Sequence, residues 1–353
     1  MRVAGASRGV HRHAQMDHLP QHGLCRAHEE SRTRMSDFLQ FVQANRIIVP
    51  DTFTPGRWIR CRTESHPRKK NGSIKLADDG LVGWCQDYAV HAEPVMWRAS
   101  DDAAAMAAPI DRAAIARRQE ERRAALCEAT LGARAFYEKC APLRDSHPYL
   151  VGKGLGVAGC VGLRVDAAGW LVVPMLYNGK ILSVQRISPD GEKKFHFGAT
   201  TKCAYYALER AGAAVTVLVE GFATGLTVFQ AIPNCRVIVA FNAGNLPVVA
   251  DRMDRSGMGV VCADNDHETA ARIGRNPGLD AAHAAAELLG VGVAVPACAG
   301  SDWNDYAMEK IELELEGQAF SFSRKRTVLQ VQASVFADIK LKVMREARLL
   351  RAK

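Results

Sequence analysis

No run of about 18 or more consecutive apolar residues occurs in the chain, the length a helix needs to span a bilayer, so no membrane association is expected. Cys-x-x-Cys pairs are missing too. The ten cysteines are scattered, and several, such as Cys235 and Cys262, sit inside apolar runs. That usage reads as reduced thiols of a cytoplasmic protein, not as a disulfide framework. A phosphate-binding loop of the form G-x-x-x-x-G-K-[S/T] is absent, which excludes an ATP-driven helicase motor of that type from this chain. Residues 1–34 are rich in His, Arg, Gly and Ser, with neither apolar periodicity nor the apolar stretch of a secretory signal. They are expected to form a disordered leader, with Met35 opening the first patterned segment.

What the chain does contain is a series of short, β-branched apolar runs: Val215–Val219, Val237–Phe241, Val260–Ala263 and Val291–Val295. Such runs read as strands buried on both faces. Helix-like stretches lie between them, at Phe222–Ala231, Asn245–Arg255 and Pro277–Gly290. Strands alternating with helices imply a parallel, doubly wound sheet with right-handed crossovers. In an open parallel sheet the carboxyl ends of the strands share one edge. Glu220, Asp264, Asp266 and the Asp302/Asp305 pair each follow or lie near such a run, and are expected to converge on one crevice. Carboxylates crowded together cannot all ionise without a cation among them. A hard divalent ion with oxygen ligands, Mg²⁺ or Mn²⁺, answers that need.

Val219-Glu220-Gly221 at one strand end, followed by Asp264-Asn265-Asp266 at another, resembles the Toprim domain shared by bacterial-type primases, topoisomerases and some nucleases. Asn276-Pro277-Gly278 opening a helix, then Ser301-Asp302-Trp303-Asn304-Asp305, look like the Toprim subgroup of primase-like proteins from phages, plasmids and integrative elements. Upstream, His147-Pro148-Tyr149-Leu150, Lys153-Gly154, Val173-Pro174, Gln185-Arg186 and Lys193-Lys194-Phe195 resemble the part of a primase core that precedes its Toprim half. The likeness covers roughly residues 140–310, and more weakly Met35 to Trp97. It implies an α/β fold: a Toprim-type parallel sheet flanked by helices, preceded by a mixed α+β primase-core subdomain and a small β-rich N-terminal module. It also implies a DNA primase-like nucleotidyltransferase that makes short primers from NTPs on single-stranded DNA, for replication of a mobile element, beside a separate replicative helicase. The alternatives are a Toprim nuclease and a catalytically inactive accessory that binds single-stranded DNA.

Within that chemistry Asp264 and Asp266 are metal ligands, since alternate residues at a strand end can reach one ion. Asp302 and Asp305 complete or support the site, and Glu220 is a ligand or the general acid/base. The resemblance places Arg186, Lys194 and Lys202 on nucleotide or template phosphates, with Arg186 and Lys194 preferred to Lys193 and Lys202. Cationic groups are needed wherever phosphoryl groups react.

The remaining segments divide as follows. Residues 35–99 hold a helix and a β-rich module with hairpin turns at Asn71-Gly72 and Asp79-Gly80. Zinc is not favoured there, because Cys61, His66, Cys85 and His91 are the one conceivable ligand set and their spacing departs from zinc ribbons. Arg57, Trp58, Arg60, Lys69 and Lys70 offer phosphate neutralisation with stacking, unless the tryptophans are core. Residues 100–140 read as connecting helices, 141–213 as the core subdomain and 214–310 as the Toprim domain. Residues 311–353 read as a basic tail: Phe322–Lys353 carries nine Lys/Arg against two acids, whereas Ala214–Lys310 carries six against eleven. The tail is either a phosphate-binding arm or a solvated helix face.

Overall fold

The computed structural model describes residues 21–91, 93–99, 112–265, 271, 276–297, 302–319 and 327–350. It comprises two compact units, Met1–Arg112 and Ala113–Lys353. None of the described helices is long and apolar enough to cross a membrane.

In the first unit, helix α1 (Gln21–Ala44) precedes five antiparallel strands in sequential order: β1 (Ile47–Ile48), β2 (Ile59–Thr63), β3 (Gly72–Leu76), β4 (Val82–Asp87) and β5 (Val95–Arg98). Phe38 and Val42, one turn apart on α1, are fully buried with Ile74, Leu76 and Cys85. Phe38 lies so close to Gly83 that a β-carbon there would stand 2.3 Å from its ring, so the helix can seat only over glycine. The start of α1 corrects the expected leader, because residues 21–34 are helical and Arg34 is buried. Once Phe38 and Val42 anchor one end, each further residue extends the helix without a new nucleation cost. Residues 1–20 lie outside the described residues.

The second unit opens with helix α2 (Arg112–Lys139), followed by β6 (Ala141–Pro142), the short α3 (Pro148–Gly152), β7 (Arg164–Val165), β8 (Leu171–Tyr177), β9 (Lys180–Ile187) and β10 (Lys193–Phe195). These strands form an antiparallel sheet in the order β10-β9-β8-β7-β6. The β8–β9 hairpin turns through Asn178 (φ 47°) and Gly179 (φ 71°), the two left-handed residues that a tight two-residue turn requires.

A second sheet follows: β11 (Tyr206–Leu208), β12 (Val215–Val219), β13 (Cys235–Val239), β14 (Met258–Cys262), β15 (Val293–Ala294) and β16 (Arg348–Leu349). Its order is β11-β13-β12-β14-β15, with β16 also on β14. β13, β12, β14 and β15 are mutually parallel, and β11 and β16 are antiparallel additions. Helices lie on both faces: α4 (Phe222–Ala231), α5 (Leu246–Ala250), α6 (Pro277–Leu289), α7 (Trp303–Ala319) and α8 (Val328–Arg345). Val215, Val217 and Val219 pack with Phe222, Leu226 and Phe229 of α4 and with Val335, Ile339 and Val343 of α8. Leu218, Ile238 and Val261 pack on the other face with α5 and α6. The alternation of β12 thus fills two cores, as a central parallel strand must. In α4, Gly225 permits the close approach to the sheet: a β-carbon there would meet Val239 Cγ2 at 2.7 Å.

Three expectations are revised in this half. Residues 327–350 are not a detached tail, since Val331, Val335, Ile339 and Val343 of α8 are buried and β16 joins the sheet. Their four-residue spacing forms one apolar stripe, and the basic side chains take the remaining surface. The helix expected over Asn245–Arg255 is a 3₁₀ turn at Ala243–Asn245 and the short α5. The strand expected to reach Phe241 stops at Val239, and Phe241 takes a left-handed φ of 71°.

Candidate active site

Parallel register decides where the acids fall. Val219 of β12 stands opposite Cys262 of β14, so Glu220 and Asp264 emerge side by side from the carboxyl edge of the sheet. Phe241 donates its N–H to the Glu220 carbonyl at 2.8 Å. This explains the strained residue beside the site: a left-handed φ at a bulky side chain is held by the surrounding structure. On the other side, Asn276 caps α6 by accepting the Leu279 N–H at 3.1 Å. A β-carbon on Gly278 would lie 3.6 Å from Glu220 Oε2 and 3.6 Å from the Asp264 carbonyl. The Glu220 carboxylate therefore stands against the amino end of α6, where exposed N–H groups favour negative charge.

Asp264 is the most perturbed acid of the site. Burial, then the charges of Asp302 and Glu220, raise its carboxyl from 3.8 to about 7, partly opposed by the Thr224 hydroxyl and Lys193. Thr224, in the first turn of α4, donates to Asp264 Oδ1 at 3.1 Å. Asp302 lies at the start of α7, where its Oδ1 accepts the N–H groups of Asn304 (2.7 Å) and Asp305 (2.9 Å). It caps the helix and still acts on Asp264. Asn304 points inward, donating Nδ2 to the Lys153 carbonyl at 2.9 Å and to Thr227 Oγ1 at 3.1 Å, which pins the start of α7 to α4 and to the segment after α3.

Asp305 behaves differently. It is half exposed and ion-paired to Lys153 Nζ at 2.8 Å, so it flanks the cluster with its charge compensated. Tyr149 is buried nearby, and burial together with Asp302 and Asp305 pushes its phenol up. Its hydroxyl has no hydrogen-bond partner among the described residues. Asp266 lies outside the described residues, and among those described no three metal-binding side chains form a closed cage. The oxygens of Glu220, Asp264 and Asp302 nonetheless suit a hard divalent cation, and the raised Asp264 carboxyl marks the charge such a cation would offset.

The cationic residues are distributed otherwise than expected. Arg186 donates Nε to Asp166 Oδ2 at 2.7 Å and lies 4.8 Å from the Trp170 ring and 5.3 Å from that of Phe136. Lys194, its cross-strand neighbour, pairs with Glu192 at 2.9 Å and lies 5.0 Å from the same Trp170 ring. Both belong to one packed face of the antiparallel sheet. Lys193 turns the other way, to within electrostatic range of Asp264. Alternation along β10 thus sets Lys193 and Lys194 on opposite sides of the strand. Lys202 is exposed in a turn, its N–H donated to Thr200 Oγ1.

In the first unit Arg57, Lys69 and Lys70 are exposed, as is Trp58 at 47 %. Arg60 is tied down, with its guanidinium 4.5 Å from the Tyr88 ring and a hydrogen bond to the Lys70 carbonyl. Burial raises the Cys61 and Cys85 thiols to about 11 and about 12. His91 Nδ1 accepts the Asp87 N–H, and His66 Nδ1 lies 3.1 Å from Ser65 Oγ. Thr224 carries no signature that marks it as part of the site in advance; Asn304 stands inside Asp302-Trp303-Asn304-Asp305, and Tyr149 and Lys153 stand in His147-Pro148-Tyr149-Leu150 and Lys153-Gly154, though the sequence assigns them no role there.

Residues 215–312 match the family model described as Toprim domain. The chain therefore carries a Toprim domain, as Glu220-Gly221 and Asp264-Asn265-Asp266 implied. It is 30 % identical over 162 residues to a DNA primase TraC of Escherichia coli, covering 43 % of this chain and 15 % of that protein. A second DNA primase TraC of Escherichia coli is 28 % identical over 158 residues, covering 42 % and 11 %. The chain thus spans a small part of the length of these curated relatives. Among solved structures, the primase fragment of the bacteriophage T7 primase-helicase protein aligns with 50 % of this chain and 75 % of its own at 19 % identity, with a TM-score of 0.35.

Proposed function

We propose that this chain is a DNA primase-like nucleotidyltransferase that joins nucleotides into short primers on single-stranded DNA. The observation that carries the reading is the meeting of Glu220, Asp264 and Asp302 at one sheet edge, where burial and then the charges of Asp302 and Glu220 raise the Asp264 carboxyl to about 7. Likeness to the TraC primases, together with the Toprim match over residues 215–312, supports it.

In this reading Glu220, Asp264 and Asp302, with Asp266, hold a divalent ion. When bound, such an ion neutralises phosphate charge and lowers the cost of forming the attacking and leaving oxygens. The chain's own residues do the positioning. Thr224 fixes one oxygen of Asp264, and Asn304 holds the start of α7 so that Asp302 faces the crevice. Lys193 supplies a positive charge at the rim for an incoming triphosphate, and Lys153 balances Asp305. The alternative role for Glu220 is to take the proton of an attacking hydroxyl instead of binding the ion.

The test is incubation with a single-stranded template, labelled NTPs and Mg²⁺ or Mn²⁺. Labelled oligoribonucleotides, lost in Asp264→Ala, are expected. Shortened template would assign the site to hydrolysis instead, and DNA binding without either product would leave the chain an accessory.

A further inference from the structure

β10 is the edge strand of its sheet, and its side chains alternate between two surroundings. Lys194 and His196 turn to the packed face: Lys194 lies 5.0 Å from the Trp170 ring, and the His196 ring lies 5.9 Å from that of Phe136. Lys193 and Phe195 turn the other way. Lys193 is exposed, and Phe195 is 40 % exposed. Phe197, in the turn that closes the strand, is 95 % exposed. That turn is fixed by Gly198 at φ 77° and by the Ala199 N–H on the His196 carbonyl.

An ammonium and two phenyl rings therefore stand at alternate positions, roughly 6.6 Å apart along an extended chain. A phenylalanine left in water forgoes the burial energy that favours its folding inward, and here two do so within three residues of each other. The flanking lysines argue against a protein partner, because lysine is depleted where protein interfaces are fully buried. Phosphates complement the lysines, and a ring face accepts any unpaired base.

We propose that Phe195 and Phe197 form a stacking platform for unpaired bases of a single-stranded nucleic acid, with Lys193 neutralising its backbone phosphates. This deepens the nucleotidyl-transfer reading and rests on nucleic acid being the substrate of the site. Binding alone tests it, so that its failure and that of the wider reading stay distinguishable.

The full chain is titrated, without nucleotides or metal, against a fluorescein-labelled oligo-dT of about 12 nucleotides and against an abasic strand of equal length. Stacking predicts that Phe197→Ala weakens oligo-dT binding roughly 5- to 100-fold, leaves the abasic strand unaffected, and is rescued by Phe197→Tyr. Phe195→Ala should act in the same direction. Equal effects on both strands, or a tyrosine variant as weak as the alanine one, would overturn the platform. Intact base-dependent binding in a chain that makes no primers would uphold it while removing the transferase reading.

Discussion

Replacing Asp264 by asparagine should stabilise the metal-free protein, and the gain should depend on pH in a defined direction. The carboxyl rises from 3.8 to about 7 on folding, so between those values the folded state binds a proton that the unfolded state has released. Stability from this group is complete below about pH 4 and is lost as pH rises through 7. A displacement of that size corresponds to at most about 4 kcal/mol. Solvent reaches the partly exposed Asp264 carboxyl, so a gain of about 1–3 kcal/mol for Asp264→Asn at pH 8 is the working expectation. The amide keeps an oxygen to accept from Thr224 and removes the charge that Asp302 and Glu220 repel. For a domain of this size, the gain is a rise in Tm of roughly 2–4 °C per kcal/mol. Thermal unfolding in EDTA at pH 8 and pH 5 measures it: the variant should melt higher at pH 8 and by a clearly smaller margin at pH 5, where the parent has lost only the first part of this stability. Millimolar Mg²⁺ should raise the parent more than the variant, because ligand binding to the native state stabilises it. A variant less stable at pH 8, or equally stabilised at both pH values, would refute the reasoning.

Three further outcomes follow from the packing. Arg186→Ala should cost about 1–3 kcal/mol in urea unfolding, because it strips a charged partner from the buried Asp166; an unchanged midpoint would return Arg186 to a purely ligand-binding role. Asn304→Ala should cost a similar roughly 1–3 kcal/mol by freeing the Lys153 carbonyl and Thr227 hydroxyl, read by the same method. Lys193→Ala should lower primer synthesis more than Lys194→Ala does, assayed side by side at fixed salt; the opposite order would put the wrong face of β10 toward the site.

The elements that build the carboxylate edge were legible because each is a short apolar run with a clear end. Val215–Val219 and Phe222–Ala231 fall where their patterns place them, and Asn276-Pro277 opens α6 as a capped helix should. The convergence of Glu220, Asp264 and Asp302 followed from topology alone. Less was legible where one residue of register decides. The sequence ranks Lys194 above Lys193 as a phosphate contact, yet strand alternation sets the two on opposite sides of β10, with Lys194 beside the Trp170 ring. Charge also masked packing: the stripe Val331, Val335, Ile339 and Val343 was visible at helical spacing, but the surrounding Lys and Arg made the segment read as a tail. Asp305 illustrates the converse, since a carboxylate in a family-like motif is here neutralised by Lys153, a residue 152 positions away in the chain.

The claim on which the rest depends is that these acids form a divalent-cation site, and electron paramagnetic resonance of Mn²⁺ tests it without requiring any reaction. Titrated at pH 8, the parent should bind Mn²⁺ with an affinity that falls as pH drops below 7, and both Asp264→Asn and Glu220→Gln should abolish or greatly weaken that binding. Mn²⁺ that stays free in the parent, or binds the Asp264→Asn variant as tightly as the parent, would contradict the account.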